Sequence, residues 1–304
     1  MHEMNNLHLK LFIIVLNFNG ENLTVDCLES LKGIECKKNC KVTTVVVDNN
    51  SQGGSLKIIK KMFPQVLLIY NKKNLGWSGG NNVGIKYALR HRADCVLLLN
   101  NDVLIAERSV EHLLEVLYSK LEIGIVGPKS YYSEKKKIIA DAGGVIKKHR
   151  FFGINRGNDE MDIGQYDKVV PVDFVCGAAM MIKSEVFKKI GLFDDRFFLY
   201  YEDADFCQRA KKKGFDSVFV PDSIIYHSVG ATGKIGSPLH NYYTTRNHLL
   251  FMEKYAPLKI RLKEVFRTPK TLLEFWLSKD KNQRYSIFAV CDYFFRRFGE
   301  RKYW

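Results

Sequence analysis

Residues 74–85 read NLGWSGGNNVGI, and within them Gly76-Trp77-Ser78-Gly79-Gly80 satisfies the G-x-S-x-G pattern of a hydrolase nucleophile elbow. Asp203 and His227 follow in the chain order that such an enzyme would use. The surroundings argue against an elbow. Its serine must sit on the sharp turn directly after a strand, whereas the polar segment NKKNLGW separates the apolar run VLLI (66–69) from Ser78. The stretch reads instead as a loop entering a helix over 79–92, with Ser78 expected as the capping oxygen. A serine hydrolase acting through Ser78 is therefore the weaker reading.

Outward from this loop, short apolar runs alternate with helical spacing. LFIIVL (11–16), TTVVV (43–47), VLLI (66–69) and CVLLLN (95–100) read as buried strands. Residues 22–32, 55–63, 79–92 and 108–119 carry helical periodicity. That alternation predicts an α/β architecture with a mostly parallel central sheet flanked by helices. The first, second and fourth strands end in NFNGEN, DNNSQGG and NNDV, and open α/β sheets bind ligands at those carboxyl ends.

From 130 to 170 the pattern loosens into a Gly-rich, charged, connecting region. A strand is expected over VDFVCGAAMMI (172–182), and a helix in YYEDADFCQRAKKKGF (200–215), which begins with acids and ends with lysines as the helix dipole favours. A strand in SVFVP then precedes DSIIYHSVG. Residues 239–304 are expected to be helical, basic and aromatic.

Hydrophobic residues make up 46% of the 304, enough for a folded core. A formal net charge of +14 calls for an anionic partner: nucleic acid, an acidic membrane surface or a phosphorylated substrate. A nucleic-acid binder would leave the ordered acidic motifs unexplained, so nucleic acid is not expected. No apolar run approaches the ~18 residues of a membrane span. Seven cysteines, an odd number, look like small core residues of a reducing compartment. Cys36 and Cys40 give half of a zinc-site spacing with no second pair to complete it. The expected location is cytoplasmic, with peripheral contact at the inner face of the cell membrane.

The segments IIVLNFNGENLTVDCLESL, VVVDNNSQGGS, NLGWSGGNNVGIKYAL, VLLLNNDV, GIVGPK, CGAAMMIKSEVFKKIGLFDDRFFLYYEDADFCQRAKKKGF, IYHSVG and YYTTRN occur in this order over about residues 10–250. Together they resemble glycosyltransferase family 2, the inverting GT-A enzymes, in the branch that includes rhamnosyltransferases of bacterial polysaccharide assembly. The resemblance implies a GT-A fold with a Rossmann-like sheet and a helical C-terminal extension. Residues 1–129 would form the nucleotide-sugar-binding half, 130–238 the acceptor-binding and catalytic half, and 239–304 the extension. The activity implied is transfer of a sugar, rhamnose first, from a dTDP- or UDP-sugar to a saccharide acceptor, lipid-linked or free.

Site residues follow from the same resemblance. Asn17, Asn19, Asp48, Gly76, Gly80, Asn81 and Asn101 would bind the nucleotide sugar, with Asp48 accepting hydrogen bonds from base or ribose. NNDV stands where the family carries a D-x-D metal motif. Its first acid is missing, and Asp102 alone would ligate Mg2+ or Mn2+, completed by His227. Asp203 would be the general base that activates the acceptor, with Glu202 its neighbour or an acceptor-hydroxyl ligand. Gly177 and Ala178 would admit the acceptor or a sugar ring close to the backbone. Arg246 would fork onto the diphosphate. Trp77 would stack on a sugar or pin its loop. At the tail, Phe294, Phe295 and Phe298 with Arg296, Arg297 and Arg301 would suit a helix resting on an anionic membrane, or else a core or homodimer contact.

Overall fold

The computed structural model describes residues 9–34, 40–52, 55–228 and 235–301. Cys36 of the half zinc spacing lies outside them, as do the last three residues of the tail. The first half of the chain runs β1 (Leu9–Asn17), α1 (Glu21–Ser30), β2 (Cys40–Asp48), α2 (Ser55–Met62), β3 (Leu67–Tyr70), α3 (Gly76–Arg90), β4 (Cys95–Asn100), β5 (Val103–Ile105) and α4 (Ser109–Leu117). Then follow β6 (Ile123–Tyr132), β7 (Lys135–Asp141), β8 (Gly144–Lys147), β9 (Phe152–Asn155), β10 (Val170–Val172), β11 (Ala179–Lys183), α5 (Ser184–Ile190), α6 (Glu202–Lys211) and β12 (Asp216–His227). The chain closes with α7 (Pro238–Tyr255), α8 (Leu258–Leu277) and α9 (Tyr285–Phe294).

The main sheet has the order β10-β12-β6-β11-β4-β1-β2-β3. Strands β3, β2, β1 and β4 are mutually parallel, and β11 enters antiparallel between β4 and β6. Alternate residues of one strand point to opposite faces. Accordingly Leu11, Ile13 and Val15 join one buried cluster while Phe12 and Ile14 join the other. Helices cover both faces, so these strands read as unbroken apolar runs.

Three expectations change. The run 172–182 is not one strand: β10 pairs with β12 at the sheet edge, whereas β11 lies centrally, so residues 173–178 must cross between them. The 130–170 region is not merely connecting, since the end of β6 and all of β7, β8 and β9 fall there. SVFVP and DSIIYH form one strand, β12, whose irregularity between Val220 and Ile224 accommodates Pro221, a residue with no N–H to give a ladder. Strand β6 also runs through residues 129 and 130, so the two halves share one sheet.

Helix α7 is capped by Ser237, whose hydroxyl accepts from the His240 N–H at 3.2 Å, with Pro238 as its first residue. The tail residues do not present a single face. Arg296 pairs with Glu253 at 2.6 Å, Arg301 with Asp292 at 3.4 Å, and the Phe298 ring meets the guanidinium of Arg246. Phe294 and Phe295 remain exposed. Among the described residues no helix is long and apolar enough to cross a membrane.

Candidate active site

The carboxyl ends of β1 and β2 are tied by a polar network. Asn17 donates to Asp48 Oδ1 at 2.7 Å, and the Ser51 hydroxyl donates to the same oxygen at 2.6 Å. The Ser51 N–H reaches Asp48 Oδ2 at 3.0 Å. Asn19 holds the facing turn by accepting from the Gln52 N–H at 2.8 Å. Asn101 points into this wall, its amide within 3.2 Å of Asn17 Oδ1 and 3.0 Å of Thr24 Oγ1. These side chains shape a rim by bonding one another, and Asp48 Oδ2 retains acceptor capacity for a ligand.

Helix α3 begins at Gly76, three residues earlier than the capping reading requires, and that reading of Ser78 is corrected. The Ser78 hydroxyl is fully buried without a hydrogen-bond partner. Asn74 Oδ1 instead accepts from the Gly76 N–H at 2.9 Å. Gly76 sits at φ +70, and a Cβ there would lie 2.4 Å from the Phe198 carbonyl oxygen, which accepts from the Trp77 N–H at 2.6 Å. Only glycine allows this contact between α3 and the loop leading to Glu202. Gly80 lets the same helix lie against Leu16, and Asn81 is buried with its amide on the Trp77 carbonyl at 3.0 Å.

Trp77 pins its loop. It meets Phe193 edge-on at 5.1 Å, and its indole N–H donates to Asn100 Oδ1 at 2.8 Å. Asn100, where the metal motif lacks its first acid, therefore carries an amide that latches Trp77. The indole also fills the space beside Gly177, where a Cβ would come within 2.9 Å of it. Gly177 thus admits Trp77 on that side. Ala178 is buried, its carbonyl accepting from the Asn100 N–H at 3.0 Å.

The chemistry-bearing groups gather where β4, β7, β12 and α6 converge. His227, at the end of β12, places Nε2 3.3 Å from Asp102 Oδ1, an otherwise unpartnered buried oxygen. Pairing of His227 with Val103 across β12 and β5 fixes that approach. Asp203 Oδ2 accepts from the Gly177 N–H at 3.1 Å and Oδ1 from the Ala204 N–H at 2.7 Å. Burial raises its proton affinity above the usual carboxylate range, and the two N–H donors pull it back down. Glu202 is 4% exposed with Oε2 unpartnered, and burial reinforced by Asp203 holds it well above the carboxylate range. Asp205 belongs elsewhere, locked by Arg209 at 2.9 Å, Tyr255 at 2.7 Å and Lys254.

One acid was missed. Asp141, the last residue of β7, is buried with Oδ1 unpartnered; burial and then Asp203 push its carboxyl up to about 7, against the Gly143 N–H and His227. The signal was the acid of IIADAGG standing where an apolar run stops.

The loop carrying the acids is strained. Phe198, Tyr200 and Tyr201 take φ values of 63, 69 and 73, a left-handed region that bulky residues rarely occupy. Helix α7 holds them there. Asn247 donates to the carbonyls of Phe197, Leu199 and Tyr200 at 2.7, 2.7 and 2.9 Å, and Arg246 to those of Arg196 and Phe197, both at 3.0 Å. Arg246 is 1% exposed and also bonds the Gly299 carbonyl at 2.8 Å. Its guanidinium is engaged by backbone, so the expected diphosphate contact is corrected to a role in positioning the acidic loop.

A mixed sheet whose parallel strands β1, β2 and β4 end in a polar rim, beside an Asp–His pair and a backbone-oriented carboxylate, is the layout of a GT-A glycosyltransferase. Residues 12–191 match the sequence profile of Glycosyl transferase family 2, more than half of the chain, which belongs to that family. It is 28% identical over 243 residues to the low-salt glycan biosynthesis hexosyltransferase Agl10 of Haloferax volcanii, covering 79% of this chain and 74% of that one. Identity is 25% over 265 residues to the dTDP-rhamnosyl transferase RfbF of Shigella flexneri, covering 84% of each. The fold is shared with GalNAc-T7 bound to UDP, GalNAc and Mn2+, at TM-score 0.65 and 17% identity over 82% of this chain and 48% of that one. It is also shared with the mannosyltransferase PcManGT of Pyrobaculum calidifontis in complex with GDP-Man and Mn2+, at TM-score 0.59 and 14% identity over 94% and 87%.

Among the described residues no three His, Cys, Asp or Glu side chains form a metal cage. The Asp102–His227 pair nevertheless suits a divalent cation that takes its remaining ligands from a diphosphate and water, because it offers one orphaned carboxylate oxygen and one imidazole.

Proposed function

We propose that the chain transfers a hexose, rhamnose being the first to test, from a dTDP- or UDP-sugar to a hydroxyl of a saccharide acceptor during cell-surface polysaccharide assembly, with inversion. The acceptor is lipid-linked and meets the enzyme at the cytoplasmic face of the membrane. The observation that carries the reading is Asp203, whose two oxygens are each oriented by one backbone N–H and each keep acceptor capacity.

In this single displacement the acceptor hydroxyl gives its proton to Asp203 as its oxygen bonds to the anomeric carbon. The bond to the leaving phosphate oxygen breaks, and the electron pair departs with the nucleoside diphosphate. The raised proton affinity of Asp203 suits a general base. Glu202, whose burial beside Asp203 favours its protonated form, would in that form offer an O–H to a sugar or acceptor hydroxyl. Asp102 and His227 would hold Mg2+ or Mn2+, which when bound neutralises charge on the departing diphosphate. The Asn17, Asn19, Asp48 and Asn101 rim shapes the nucleoside side. No enzyme nucleophile takes part, in keeping with the enclosed Ser78 hydroxyl.

The test is a panel of nucleotide sugars, assayed for transfer to short saccharides and for thermal stabilisation with and without Mn2+. Rhamnosyl transfer from dTDP-rhamnose is expected. Stabilisation by a different sugar nucleotide alone would replace the donor, and transfer with retention would remove the single displacement.

A further inference from the structure

Helix α8 carries an apolar face that the protein itself leaves uncovered. None of its residues is buried, although Leu258, Leu262, Phe266, Leu273, Trp276 and Leu277 are large and apolar. At about 100° per residue these six fall within one sector roughly 100° wide. Phe266 is 82% and Trp276 63% exposed. Lys259, Lys263, Arg267 and Lys270 follow along one border of that sector, and all four are exposed. The opposite side of the helix, including Glu264, Thr268 and Phe275, turns inward.

We infer that this face of α8 docks on an anionic lipid bilayer, lying in the plane of the surface with its apolar sector among the acyl chains and its basic border at the headgroups. Charge selects this occupant. Arg267 and Lys270 already meet Glu264 and Glu274 on the same helix, at 3.4 and 3.9 Å, while Lys259 and Lys263 keep the border net positive. A second copy of the helix would bring two such borders together, whereas an anionic surface matches their charge and takes up the apolar residues at once. The excess of +14 over the whole chain acts in the same direction.

The position of α8 links the surface to the site. Beneath its inner side lies a cavity of about 290 Å3, lined in part by Thr244, His248, Thr268 and Tyr201. Tyr201 immediately precedes Glu202, so docking would bring the acceptor side of the site down to the membrane. The inference rests on the lipid-linked acceptor proposed above and names the surface that would meet it. The expected tail anchor thereby moves from α9 and its sequel to α8.

The experiment is vesicle sedimentation of the full chain, with phosphatidylcholine alone and phosphatidylcholine mixed with phosphatidylglycerol. Binding to the mixed vesicles that weakens as salt rises is expected. Phe266→Asp combined with Leu273→Asp should weaken it by about tenfold or more, and Lys263→Glu combined with Lys270→Glu should abolish the preference for the anionic lipid. Leu121→Asp, at an exposed leucine between α4 and β6, should leave binding unchanged. Tryptophan emission should shift to the blue on binding, and Trp276→Phe should remove that shift while preserving sedimentation. All variants are checked for unchanged melting and for transfer to a soluble saccharide. Lost transfer in the wild type would sink the proposed function without touching the docking. Unchanged vesicle binding in folded α8 variants would overturn the docking, as would a wild-type dimer that the apolar substitutions dissociate without loss of lipid binding.

Discussion

Asp203 and Asp141 are neighbouring acids whose substitutions should behave differently. Asp203→Asn keeps the side-chain shape but cannot take a proton, so transfer should fall about a hundredfold or more while donor affinity, read by calorimetry, is retained. Asp141 has a folded-state proton affinity raised to about 7. The folded protein then holds a proton that the unfolded chain releases near pH ~4, so stability falls as pH rises from about 4 to about 7. The total is of the order of 4 kcal/mol for this buried group. Asp141→Asn, melted in the absence of divalent metal at pH 5 and pH 8, should lose most of that dependence. A slope equal to the wild type would move the titration to another group. Asp102→Ala should weaken metal-dependent binding of a nucleoside diphosphate and leave the nucleoside unaffected, as measured by calorimetry with and without Mn2+.

Between elements, the joint of α7 with the loop before α6 governs the site. Three carbonyls depend on one amide, Asn247 Nδ2, and left-handed geometry at Phe198, Tyr200 and Tyr201 persists because of it. Asn247→Ala leaves buried carbonyls unpaired, at a cost of about 1–3 kcal/mol, and frees the loop. Turnover should drop while donor affinity holds, a split that steady-state kinetics beside calorimetry would reveal. Gly76→Ala should act on the same joint from the α3 side, because the methyl meets the Phe198 carbonyl. The helices meeting at this joint were legible, α3 from its apolar spacing, α6 from its acidic start and basic end, and α7 within the helical reading of 239–304. The joint itself was not, since the TTRN run shows neither that Arg246 turns toward residues 196 and 197 nor that Asn247 turns toward 197, 199 and 200.

Across the whole molecule, the C-terminal helices divide their labour. α9 and its sequel are built into the body, with Asp292 accepting from the Tyr242 hydroxyl at 2.7 Å and the Gly299 carbonyl accepting from Arg246, whereas α8 is laid on the outside. Deleting residues 285–304 should therefore lower the melting temperature. The sequence by itself determined the alternating α/β order, the polar strand ends, the acids of YYED and the family, because apolar periodicity and short motifs are local properties of the chain. Only the tertiary structure decided that Ser78 is enclosed, that Arg246 braces the acidic loop, that Asp141 joins the site, and which helix keeps an uncovered face. Those outcomes depend on partners tens of residues away, brought together by a sheet in which β11 crosses between β4 and β6. Hydrogen bonds and burial set by strand order leave no periodic trace in the sequence.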